Sequence, residues 1–94
     1  MSDSIKAFEE RQQIQQLPNW FQGNLYSTGD KVRNQITGDS FFLTNVELSL
    51  YDYLKGLQHV MQTRGYDQKF ASDMVLVEEW FKTNNKNAYE ILIK

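Results

Sequence analysis

The sequence predicts an α+β fold: a leading helix, a small antiparallel sheet of two or three strands, then two long helices and a short C-terminal helix. Three observations predict it. Residues 44–64 and 68–83 repeat apolar side chains at the period of a helix. Between residues 23 and 44 that pattern gives way to short extended pieces separated by the turns Thr28-Gly29-Asp30 and Thr37-Gly38-Asp39. The chain of 94 residues is also 40% hydrophobic and 14% aromatic, enough to form a core in one small domain.

The first element spans residues 4–17. Ser2, Asp3 or Ser4 can cap it, and Pro18 stops it. Its apolar stripe is weak: Ile5 and Phe8 share a face, while Ala7, Ile14 and Leu17 point elsewhere. A helix with a poor stripe gains little from docking, so residues 1–18 are expected either to sit loosely on the rest or to turn a second face to a partner. Residues 25–27, 31–33 and 40–43 are the strand candidates. In the turns between them glycine supplies positive φ, while Asp and Thr bond their own backbone.

Thr44-Asn45-Val46-Glu47 is a capping box, in which the Thr hydroxyl and the Glu carboxylate each satisfy an orphan N–H. The helix it starts should run to Arg64 and end at Gly65. Val46, Leu50, Tyr53, Leu54, Leu57, Val60 and Met61 fall on its core side. Glu47, Leu48, Tyr51, Asp52, Lys55, Gln58, His59 and Gln62 fall opposite. Asp67 caps the next helix, over residues 68–83, whose core stripe is Phe70, Met74, Val77 and Phe81. A connection over residues 83–87 follows, with Asn85 as N-cap of a final short helix over residues 88–93.

The pattern Gly23-x-x-Tyr26-x-x-Gly29-x-x-Val32-x-Asn34-x-x-Thr37-Gly38 is followed by Leu43-Thr44-x-x-Glu47-Leu48-Ser49-x-Tyr51-Asp52. The chain closes on Glu79-Trp80-Phe81-x-x-Asn84-Asn85-x-x-Ala88-Tyr89-x-x-Leu92. From Trp20 onward this resembles a class of short uncharacterised proteins from bacteriophages and marine or gut bacteria. The chain departs from that class in having Asn85 where a Pro is usual and Ile93 near a Leu-rich end. The resemblance implies a biological context and no catalytic residues.

Composition excludes several function classes. With 10 Lys+Arg against 12 Asp+Glu the formal net charge is −2, which argues against a chain held on nucleic acid by bulk electrostatics. Zero Cys excludes disulfides, thiolate metal sites and Cys nucleophiles. One histidine, His59, excludes any site that needs two imidazoles. The longest apolar run, Met74-Val75-Leu76-Val77, is far too short to span a bilayer. The N-terminus has no basic stretch followed by an apolar one, so no secretion signal is expected and a cytoplasmic location is.

No residue pattern points to catalytic, cofactor-binding or metal-ligating chemistry. Asp52 and His59 share a helix side, but seven residues of helix rise about 10.5 Å, too far for a base and its orienting acid. Neither Asp30 nor Asp39 is followed by the alternating oxygen ligands of a calcium loop. Lys31, Arg33, Phe41 and Phe42 could stack and hold bases, yet the acids Asp30 and Asp39 flank them. What remains is surplus apolar surface: Leu48 and Tyr51 on the back of one long helix, Leu76 and Trp80 on the flank of the next. These four are the interface candidates, although a large aromatic such as Trp80 marks either core or interface. The expected function is that of a non-enzymatic accessory or interaction protein, docking to a protein partner or to a second copy. A small nucleic-acid-associated regulator is the alternative.

Overall fold

The computed structural model describes residues 5–94, apart from the side chain of Gln13. It is an α+β fold in the order α1 (Ile5–Ile14), β1 (Asp30–Arg33), β2 (Ser40–Leu43), α2 (Asn45–Arg64), α3 (Gln68–Asn84) and α4 (Lys86–Ala88), closed by a π-helical turn over Tyr89–Ile93. The expected caps Ser2, Asp3 and Ser4 lie outside the described residues.

The sheet is one antiparallel pair, with Asp30 opposite Leu43, Lys31 opposite Phe42, Val32 opposite Phe41 and Arg33 opposite Ser40. Strand alternation then sorts β2: Phe41 and Leu43 turn into the core, and Phe42 is exposed. The third expected strand, residues 25–27, is absent. The Tyr26 N–H there donates to Ser49 Oγ on α2 at 2.9 Å, so that backbone is satisfied by a helix side chain instead of a strand. Asn34 organises the turn between the strands. Its Oδ1 accepts from the N–H groups of Ile36 and Thr37 at 2.8 and 3.2 Å, and Gly38 takes a φ of 82° beyond them.

α2 begins and ends where the sequence puts it. Thr44 Oγ1 accepts from Glu47 N–H at 3.1 Å, and Glu47 Oε1 accepts from Thr44 N–H at 2.9 Å, closing the capping box. α3 extends one residue past expectation, to Asn84, and the connection expected over residues 83–87 shrinks to Asn85. That residue serves two helices. Its N–H donates to Phe81 O at 2.8 Å, and its Oδ1 accepts from Ala88 N–H at 3.2 Å.

The core is Phe41, Leu43, Val46, Leu50, Leu54, Val77, Phe81, Ala88 and Leu92, drawn from β2, α2, α3, α4 and the closing turn. Each large member contributes roughly 1.5–3 kcal/mol through burial. Of the predicted α3 stripe, Val77 and Phe81 are fully buried while Phe70 and Met74 are half-buried, because α3 leaves the core towards its start. α1 is shorter than expected and ends three residues before Leu17, which Pro18 restrains from helical geometry. Leu17, Trp20 and Phe21 pack on the core, and the Phe21 ring meets Tyr53 edge-on at 5.3 Å.

Candidate functional site

Among the described residues two places are candidate sites: a buried polar node around Glu47 and an open trough along α2.

Helical periodicity puts Glu47 opposite the core side of α2, and in the structure it is nonetheless fully buried. The reason is the capping box, which turns the carboxylate back towards the start of the helix, where other elements converge on it. Its Oε2 accepts from Arg11 Nε at 2.9 Å, Gln15 Nε2 at 2.7 Å and Asn85 Nδ2 at 2.8 Å. Its Oε1 accepts from Thr44 N–H at 2.9 Å and Arg11 Nη2 at 3.3 Å. Thr44 Oγ1 donates to Gln15 Oε1 at 2.6 Å, and Arg11 Nη2 also donates to Phe42 O at 3.0 Å. The guanidinium lies over the Phe41 ring, 5.4 Å from its centroid. Five donors occupy a carboxylate with about four lone-pair directions, so Glu47 has no capacity left for an incoming substrate. It is an anchor: Arg11 and Gln15 tie α1 to the body through charge and hydrogen bonds, where the sequence offered only a weak apolar stripe.

The trough, about 390 Å³, runs between the loop over residues 23–26, α2 and the start of α3. Tyr53, Leu57, Val60 and Phe70 give it apolar lining, Gly56 gives it bare backbone, and Tyr26 and Asp52 give it polar groups. Tyr26 Oη donates to Asp52 Oδ2 at 2.9 Å, and that bond, with the nearby charge, raises the Tyr26 pKa above its ordinary value. Tyr53 Oη donates to Asp73 Oδ2 at 3.0 Å, and burial raises the Tyr53 phenol pKa, helped by this bond. Lys55, three residues after Asp52, lies over the Tyr51 ring, 5.4 Å from its centroid. His59 is exposed, and among the described residues no group of three His, Cys, Asp or Glu is gathered to hold a metal.

The four interface candidates are distributed as follows. Leu48 and Tyr51 are half-buried against the core, and burial raises the Tyr51 phenol pKa. Tyr51 lines a separate hollow with Arg33, Ile36 and Leu92. Trp80 is half-buried, its ring edge-on to Phe81 at 5.2 Å. Leu76 is 40% exposed, beside Val75 at 54%. Of the nucleic-acid candidates, Phe41 is buried and Phe42 is exposed beneath Lys31, whose ammonium lies 6.0 Å from the ring centroid. Sequence reasoning missed both the Glu47 node and the trough. The capping box pointed to the first, and Gly56 within a strong helical pattern pointed to the second.

In the comparisons with known proteins, the chain matches no family model, no curated protein and no solved structure. No described helix is long and apolar enough to cross a membrane.

Proposed function

We propose that this chain is a non-enzymatic accessory or interaction protein that acts by docking to another protein or to a second copy of itself. The observation that carries this reading is the apolar surface left on α3. Val77 and Phe81 complete the core contact of that helix, yet Val75 and Leu76 remain partly exposed, with half-buried Trp80 one turn beyond Leu76. Covering such side chains is favourable at about 25 cal/mol per Å² of apolar area. The buried carboxylate, Glu47, is consumed by structure, which weighs against hydrolytic or acid–base chemistry there.

The test is light scattering on a sizing column over a range of concentrations, together with capture from a cell lysate with and without nuclease. A dimer, or nuclease-resistant capture of a protein, that is lost in Leu76→Asp supports docking through this flank. Leu76 is the informative position because its side chain is outside the core, whereas Trp80 also packs on Phe81. Nuclease-sensitive capture would favour the nucleic-acid-associated regulator. A monomer that captures nothing would overturn the reading.

A further inference from the structure

α2 contains a glycine that its own fold does not use. Gly56 sits mid-helix and does not have positive φ, which among the glycines belongs to Gly38 and Gly65. A Cβ placed there would meet no atom within 4 Å. At Gly29, by contrast, a Cβ would collide with the Leu43 carbonyl oxygen. Glycine destabilises a helix interior relative to alanine, because it loses the most conformational freedom on folding. Gly56 therefore weakens α2 and returns nothing to the isolated chain.

Its surroundings supply a use. Gly56 lines the trough together with the apolar side chains of Leu57, Val60 and Phe70. A helix without a Cβ at the point of contact lets a second helix approach its backbone more closely. The trough has no strand edge, since β1 and β2 do not line it, so an added strand would find no ladder there. The lining also carries an acid. Asp52, one turn before Gly56, accepts from Tyr26 Oη and meets no cation at ion-pair distance among the described residues.

We propose that the trough seats an α-helical segment of another protein, one that carries a ridge of small aliphatic side chains flanked by a lysine or arginine. The helix crosses α2 at Gly56, its aliphatic ridge lies on Leu57, Val60 and Phe70, and its cation meets Asp52. The inference rests on the docking reading but uses a different surface from Leu76, so the two can fail separately.

The probes are three synthetic helical peptides with one alanine–leucine ridge, flanked by Lys, by Gln or by Glu. Each is titrated into the full chain with amide chemical shifts and fluorescence anisotropy as readouts. The lysine peptide is expected to shift the amides of Asp52, Gly56 and Val60 and to bind roughly tenfold or more tighter than the glutamate peptide. Asp52→Asn should erase that preference. Gly56→Ala should raise the melting temperature of the free chain and weaken the lysine peptide by roughly tenfold or more. Equal binding of the three peptides, shifts elsewhere, or wild-type affinity in Gly56→Ala would each overturn the proposal. Concentration-dependent shifts at Gly56 without peptide would make the occupant a second copy and overturn the choice of partner. If the peptides fail while Leu76→Asp still abolishes capture from lysate, the docking reading stands and this inference falls.

Discussion

Arg11→Ala tests whether α1 is held by the Glu47 node. The substitution removes both guanidinium bonds to the carboxylate, at 2.9 and 3.3 Å, and the cation that neutralises it. Breaking a buried ion pair from one side costs about 3–5 kcal/mol, because the remaining charge stays desolvated. Two features place this site at the low end. The Arg11 side chain is 14% exposed, so water can reach the gap, and Gln15, Thr44 N–H and Asn85 still donate to Glu47. The expected loss is about 3 kcal/mol, or a fall in melting temperature of about 15 °C for a domain of this size. Circular dichroism melts, with urea midpoints at unchanged slope, measure it. Adding Glu47→Gln should restore part of the loss, since the residue left behind is then neutral. A fall of only a few degrees, or a double variant as unstable as the sum of the singles, would refute the claim that a desolvated charge is at stake. Removal of residues 1–17 takes away Arg11 and Gln15 together. The shortened chain should melt at least as low as Arg11→Ala, and wild-type melting would show that the helix is dispensable.

Thr44→Ala should cost about 2 kcal/mol, combining a lost N-cap with the lost bond to Gln15, and a denaturant midpoint within error of wild type would exclude the cap. Asn85→Ala should cost a similar amount, about 2 kcal/mol, because it uncaps α4 and removes a donor from Glu47; its readout is the thermal melt. Leu76→Asp should change stability by no more than about 0.5 kcal/mol, while Trp80→Ala, half-buried on Phe81, should cost about 2 kcal/mol. Tyr26, Tyr51 and Tyr53 all have phenol pKa values raised above 10.0 in the folded chain. The folded state thus holds those protons more tightly, and the associated stability is present below pH 10.0 and lost as pH rises through the folded values. Near-ultraviolet phenolate absorbance should rise at higher pH in the folded chain than in denaturant, and coincident curves would refute the shifts.

The architecture was legible where one physical signal dominated. Thr44 and Glu47 fixed the start of α2 and Gly65 its end, because capping is local chemistry that needs no knowledge of the rest of the chain. The β2 strand was equally plain from its aromatic run. Residues 25–27 misled because their strand-like composition says nothing of Ser49, a side chain 23 positions away that takes the Tyr26 N–H. Glu47 misled for the same reason. Helical periodicity puts it opposite the core side, and only the convergence of Arg11, Gln15 and Asn85 buries it. Of the interface candidates, the helical wheel separated Leu76 from the core stripe correctly. Contacts between α2, α3 and the closing turn, which a wheel cannot supply, set how far Leu48, Tyr51 and Trp80 are covered.

The Glu47 node also bears on the order of folding. Its donors lie 36 positions before it, at Arg11, and 38 after it, at Asn85, so closing it requires three distant stretches of chain to meet. Long loops are costly to close before other contacts reward them. During synthesis α1 emerges before α2 but meets its carboxylate only after residue 47, and the set is complete only after residue 85. The capping box can form much earlier, within three residues. Locking of α1 is therefore expected after the rate-limiting barrier, so Arg11→Ala should steepen escape from the native state rather than slow arrival at it. In a chevron plot the unfolding arm would rise while the folding arm stayed in place, and a folding arm that dropped instead would put α1 in the nucleus.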